Sequence, residues 1–245
     1  MKYWMKHLIL IAAAFSAGCA SPNAVMDAPP AETGTPAPLP ADAPFRDEIL
    51  RFARIDRETP PPACPVLFVG SSSIRMWSSL AQDMAPLPVL NRGFGGSSIA
   101  HVNRYFDRVV APYRPRAIVF YAGENDLDSG LSPTAVAAEF RRFLDLKRAR
   151  LGDVPVFFIS AKPSKLRFVQ LARQSELNAA IRAIAGARRD VVFIDVASAM
   201  MSGGQPRDLF VADGLHMGPA GYAIWREAVG EALRKRKVSQ LRCRK

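Results

Sequence analysis

The stretch "VLFVGSSSIRMW", residues 66–77, runs from four apolar residues into a glycine and three consecutive serines. An apolar run this short, bounded by Gly and polar residues, reads as a strand buried on both faces. Similar runs recur along the chain: "VLNRG" (89–93), "AIVFYAG" (117–123), "VPVFFIS" (154–160) and "VVFIDV" (191–196). Longer segments of helical period separate them, notably 134–150 and 166–186. In the latter, Leu171, Leu177, Ile181 and Ile184 share a face. Ser132 followed by Pro133 marks a helix entry, and a last helix spans roughly 219–235. Strands alternating with helices predict an α/β fold, a five-stranded parallel sheet covered by helices on both faces. Ligands of such sheets bind beyond the carboxyl ends of the strands, so the chemistry is sought there.

The rest of the 245-residue chain frames this domain. Lys2 and Lys6 precede an apolar stretch, Leu8 to Ala17, and small residues "SAGCAS" follow. That order reads as an export signal over residues 1–20, too short to be an ordinary membrane-spanning helix. Cys19 in "SAGC" resembles a bacterial lipobox, with Ser16 where Leu is usual. Lipidation at Cys19, giving membrane attachment through a lipid anchor, is favoured over plain cleavage after Ala20. The predicted location is the bacterial periplasm or outer membrane, otherwise secretion. Residues 21–44, rich in Pro and Ala, lack the large apolar groups needed to fold and read as an extended tether. The folded domain is expected over 45–237, with a basic tail over 238–245.

The formal charge of +11 does not indicate nucleic acid. Seven basic residues lie in "RKRKVSQLRCRK" (234–245), and no zinc-finger or aromatic-interleaved basic motif accompanies them. The tail reads as a solvated terminus, or else as a contact for anionic headgroups or cell-wall polymers. Cys64 and Cys243 could pair in an oxidising compartment or remain as two free thiols.

The strand ends are small and polar: Gly70-Ser71-Ser72-Ser73, Gly93-Phe94-Gly95-Gly96 and Gly123-Glu124-Asn125-Asp126, with Asp213 and His216 just before the last helix. A dinucleotide loop fails because Ser98 stands where its third glycine belongs. The G-x-S-x-G elbow fails at Ile74, and no phosphate-binding Gly-Lys-Ser/Thr is present. With three histidines, one of them His7 in the signal, the residues give no reason to expect a metal or cofactor. A nucleophilic serine needs a base, usually histidine. His101 follows "GGSS" within an expected helix and suits a structural role. His216 lies in a Gly-flanked loop three residues after Asp213, which could orient its ring.

Taken in order, G-x-S after strand one, N-x-G-x-G-G after strand two, G-x-N-D after strand three and D-x-x-H before the last helix resemble the SGNH, or GDSL-type, hydrolases. The short layout is similar to their platelet-activating-factor acetylhydrolase-like branch, and the resemblance spans nearly all of residues 64–235. It implies a three-layer, flavodoxin-like α/β/α fold and a serine esterase that works without a cofactor. Carried over by position, the catalytic residues are Ser72, His216 and Asp213. The oxyanion hole comprises the N–H groups of Ser72 and Gly96 and the side-chain amide of Asn125. Ser71 replaces the family's name-giving Asp. Short inter-strand segments predict an open site that favours short acyl or acetyl esters, on an envelope lipid or glycan given the export signal. Acyl transfer by the same residues and a non-catalytic glycan-binding module are the alternative readings. Trp77, Phe94 and Tyr121 are expected in the core and Arg75 at a solvated surface. Glu124 and Asp126 are expected to hold the loop around Asn125, and Lys162 and Ser164 of "AKPSK" (161–165) to line the cleft.

Overall fold

A computed structural model describes residues 38–243. In chain order the elements are α1 (Arg46–Glu58), β1 (Val66–Gly70), α2 (Ser72–Arg75), α3 (Leu80–Asp83), β2 (Val89–Gly93), α4 (Ile99–Arg104) and α5 (Phe106–Val109). There follow β3 (Ala117–Tyr121), α6 (Glu124–Asp128), α7 (Pro133–Leu151), β4 (Val156–Ile159), α8 (Leu171–Gly186) and β5 (Val191–Ile194). A two-residue hairpin, β6 (Met201–Ser202) and β7 (Gln205–Pro206), precedes α9 (Pro219–Lys235).

The first five strands form one parallel sheet in the order β2-β1-β3-β4-β5. Period-two alternation sends neighbouring side chains to opposite helical layers. Leu67, Val69, Ile118, Phe120, Val156 and Phe158 pack with Ile99, Val102, Phe140, Phe143, Leu177 and Ile181. Val66, Phe68, Val119, Tyr121, Phe157 and Ile159 pack on the other side with Ile74, Trp77, Trp225 and Val229. Each central strand is therefore apolar on both faces. From β1 the chain runs outward to β2, then crosses back past β1 to β3. This reversal opens a crevice at the carboxyl ends of β1 and β3, the flavodoxin-like switch point where such folds bind ligands.

The expected strands are found, with the last three ending one to two residues sooner. Ser132 caps α7 through its hydroxyl, which accepts the Ala135 N–H at 3.2 Å. The helix expected from 166 begins at Leu171. The Leu166 N–H is instead taken by the Gly214 carbonyl at 3.0 Å, so this stretch belongs to the crevice wall.

Both ends of the domain depart from expectation. Leu39 and Phe45 pack against the core, Ala43 is buried, and the Pro44 carbonyl accepts the Tyr105 hydroxyl. The Pro/Ala-rich segment therefore joins the fold before residue 45. At the other end, Val238 is fully buried in a 3-10 turn over Val238–Gln240, and Arg116 donates to the Ser239 carbonyl. Cys243 is joined to Cys64 by a disulfide, with Cα atoms 5.6 Å apart. The described part of the tail is thus fastened rather than frayed. No helix among the described residues is long and apolar enough to cross a membrane. The segment read as an export signal, with Cys19, and most of the expected tether lie outside the described residues.

The disulfide closes nearly the whole domain into one loop. Replacing Cys64 and Cys243 by Ser should destabilise the fold by about 2–4 kcal/mol, a drop in Tm of roughly 5–10 °C. An identical melting curve for the double variant would show that the bridge carries no stability.

Candidate active site

The turn that carries Ser72 is built by a steric constraint at Gly70. Its φ is +136°, and a Cβ there would lie 1.8 Å from the Tyr121 carbonyl oxygen. Only glycine fits. The Ser71 N–H donates to that same carbonyl at 2.9 Å, and the Ser71 carbonyl accepts the N–H groups of Ile74 and Arg75. Ser71 is buried and holds the turn through its backbone, so the bend forms without the Asp expected there. Ser72 becomes the first residue of α2, with its N–H outside the helix's own bonding ladder.

Ser72 meets two residues far from it in sequence at this point. Ser72 Oγ lies 2.9 Å from His216 Nε2, and His216 Nδ1 lies 2.6 Å from Asp213 Oδ2. The other carboxylate oxygen, Oδ1, accepts the N–H groups of Leu215 and His216 at 2.8 and 2.9 Å. These bonds, that from the His216 ring foremost, hold the Asp213 carboxyl down at about 2, although the residue is exposed. An ionised carboxylate can only accept, so it fixes the proton on Nδ1 and leaves Nε2 free to take one from Ser72. His101 is placed differently. Its Nδ1 accepts the Ser98 N–H at 3.1 Å in a capping box at the start of α4, and its ring packs edge-on against Phe45. Burial lowers its pKa, and its ring completes the cap of α4.

The candidate oxyanion donors surround the same crevice. Gly96 sits at φ +73°, exposed, with open space where a side chain would project. Next to it, buried Ser97 donates its hydroxyl to the Gly70 carbonyl at 3.0 Å. Asn125 Nδ2 donates to the Ser97 carbonyl at 3.0 Å, and its Oδ1 accepts from Arg167 at 2.9 Å. Arg167 also donates to Asp128 at 2.9 Å. With its carbonyl end claimed by a cation, the Asn125 amide turns its NH2 to the Ser97 carbonyl, which uses one of its two N–H groups. Arg167 was not foreseen from sequence; the available signal was its place just beyond "AKPSK", at the carboxyl end of β4.

Glu124 and Asp126 hold the Asn125 loop as expected. Glu124 is buried, 2.7 Å from Lys162 Nζ, and accepts the Tyr121 hydroxyl. Lys162 and Ser164 are therefore corrected from cleft-lining to buried: the lysine neutralises Glu124, and the Ser164 hydroxyl accepts the Arg167 N–H. Trp77, Phe94 and Tyr121 are buried, and Arg75 is exposed.

A serine bonded to a histidine–carboxylate pair, at the switch point of a parallel sheet, defines a class of enzyme, the serine-type hydrolases. The model of the GDSL-like lipase/acylhydrolase family matches residues 68–224, and the chain belongs to this family of ester hydrolases. Its fold is that of a GDSL-like lipase from Bacteroides thetaiotaomicron, at TM-score 0.66 and 21% identity, covering 77% of this chain and 98% of that one. A Streptococcus pneumonia protein described as a candidate platelet activating factor matches at TM-score 0.68 and 18% identity, covering 76% and 92%. A carbohydrate esterase family 3 protein from Talaromyces cellulolyticus matches at 0.60 and 17%, covering 74% and 100%. No curated protein matches in sequence.

Asp126 supplies a pH signature for the loop. Its carboxylate accepts the Ile99 N–H at 3.0 Å, tying the Asn125 loop to α4, yet burial raises its pKa to about 6. The fold therefore holds the proton more tightly than the unfolded chain does, and stability falls as pH rises from about 4 through 6. Asp126→Asn keeps an acceptor without the charge. The stability difference in favour of the variant should grow over this window by up to roughly 3 kcal/mol. Parallel urea-denaturation profiles from pH 4 to 7 would refute this.

Proposed function

We propose that the chain is a serine esterase that removes a short acyl or acetyl group through an acyl-enzyme on Ser72. The observation that carries this reading is the unbroken hydrogen-bond chain from Asp213 through His216 to Ser72 Oγ. His216 Nε2 takes the hydroxyl proton as Oγ attacks the ester carbonyl. The carbonyl π electrons move onto oxygen, and the N–H groups of Ser72, Gly96 and Asn125 receive the resulting oxyanion. Such fixed donors are each worth about 3–4 kcal/mol in the transition state. Asp213 holds the imidazolium. The proton then passes to the departing alkoxide as the C–O bond breaks. Water, deprotonated by the same nitrogen, attacks the acyl-enzyme, and the acid leaves as Ser72 regains its proton.

Two features support a short acyl group. Gly96 and Asp213 are exposed and Ser72 is partly so, which fits an open site. Similar folds include an acetyl esterase crystallised with acetate and a carbohydrate esterase. The Cys64–Cys243 bridge supports an extracytoplasmic setting, where acylated glycans and lipids of the envelope are the available esters.

Ser72→Ala should remain folded and lose turnover of p-nitrophenyl acetate by roughly 10⁴-fold or more. Wild type should react with a fluorophosphonate probe and prefer the acetate to the palmitate ester. Retained activity in the variant would remove Ser72 from its role. A probe-inert wild type would favour the binding-module reading, and a preference for palmitate would overturn the chain-length assignment.

A further inference from the structure

Gly96, the backbone donor of the proposed oxyanion hole, has no side chain to hold it and nothing packed against its open face. Its direction is set by its two neighbours. On one side, Ser97 is tied to the Gly70 carbonyl and to Asn125. On the other, the Gly95 N–H donates at 3.1 Å to Glu48 Oε1, a side chain of α1. Glu48 also lies 3.8 Å from the Arg75 guanidinium on the helix that carries Ser72, and that guanidinium packs directly over Gly95. Helix α1 lies outside the family-matched residues 68–224. It is nevertheless fastened to the same region, through Phe45 on Phe94 and on His101.

We infer that Glu48 is a positioning residue: it clamps the Gly95 N–H and so aims the Gly96 N–H at the crevice. The inference rests on the proposed esterase reading for its consequence in catalysis, not for the clamp itself. The Ser97 N–H also closes the turn onto the Phe94 carbonyl at 3.4 Å, but the Gly95 side is held by Glu48, and losing that anchor beside a residue as free as glycine widens the range of its N–H direction. A donor that must be fixed before charge develops then loses part of its value in the transition state, while ground-state binding changes little. The Glu48 carboxylate would by itself oppose a nearby oxyanion; Arg75, on its other side, offsets that charge. Docking of α1 does not depend on Glu48, because Ile49, Phe52 and Phe45 pack into the core.

The test compares Glu48→Ala and Glu48→Gln in the full chain. With p-nitrophenyl acetate, Glu48→Ala should lower kcat about tenfold, with KM within twofold, since a misaimed group costs rate rather than binding. Glu48→Gln keeps a carbonyl acceptor and should restore kcat to within threefold of wild type. Independently of turnover, amide hydrogen exchange at Gly95 should quicken at least tenfold in Glu48→Ala and stay near wild type in Glu48→Gln. Unchanged kcat in Glu48→Ala, a loss confined to KM, or unchanged exchange at Gly95 would each overturn the assignment. If wild type hydrolyses no ester, the esterase reading fails, and the exchange measurement alone decides the clamp.

Discussion

The contact between Gly70 and the Tyr121 carbonyl is the constraint on which the site depends. At the carboxyl ends of β1 and β3 the two backbones approach so closely that a Cβ on Gly70 would sit 1.8 Å from that oxygen. This approach frees the Ser71 N–H to bond across to β3, which turns the chain sharply and starts α2 at Ser72. The Gly70 carbonyl in turn accepts the Phe94 N–H at 2.9 Å and the Ser97 hydroxyl at 3.0 Å. One glycine thus positions the serine turn through its own bend, and the Gly96 loop through its carbonyl. Any residue with a side chain would push β1 away from β3 and release both.

The sheet was legible because its strands carry apolar residues on both faces, a pattern that survives without knowledge of any partner. The capped start of α7 was legible from Ser132-Pro133, which act locally. What escaped depends on long-range contacts. Helix α1 is rich in charge, and its Phe52 and Ile49 gain meaning only against the core. Lys162 read as a cleft residue because nothing near it in sequence announces Glu124 as its buried counter-ion. Pairing of Cys64 with Cys243 was undecidable, since spacing says nothing of proximity. Among the candidate site residues, Ser72, Gly96 and Asn125 were singled out because each follows a strand end, and Asp213 and His216 because they just precede the last helix. Glu48 and Arg167 bond the Gly95 N–H and the Asn125 amide, and no motif records that.

Residues of one type take opposite characters here because of what surrounds them. Asp213 is exposed yet held at about 2 by three hydrogen bonds, the firmest from His216. Asp126 is buried and, despite the Ile99 N–H, rises to about 6. The first is a permanent anion suited to orienting an imidazole; the second is a structural strut whose charge is costly. The two described histidines diverge in the same way. His101 turns Nδ1 toward a backbone N–H, which makes that nitrogen an acceptor. His216 turns Nδ1 toward a carboxylate, which makes it a donor and leaves Nε2 basic.

Exposure of the Asp213–His216 loop does not make it loose. Val211 N–H bonds the His216 carbonyl at 2.9 Å, Gly214 N–H bonds the Val211 carbonyl at 2.9 Å, and Gly218 N–H bonds the Leu209 carbonyl at 2.8 Å. A fourth bond, from Leu166 N–H to the Gly214 carbonyl, ties the loop to the β4–α8 connection, whose next residue, Arg167, holds Asn125. The His216 loop and the Asn125 amide are therefore fixed to one short segment. Leu166 itself is 61% exposed at that junction. On the proposed mechanism, this arrangement bears on the second half of the reaction. A half-buried base beside exposed Gly96 and Asp213 has water within reach to activate, whereas an acceptor alcohol must be held in place to compete. Transfer would require contacts to that alcohol beyond the triad, and the same exposure that admits water favours hydrolysis as the outcome.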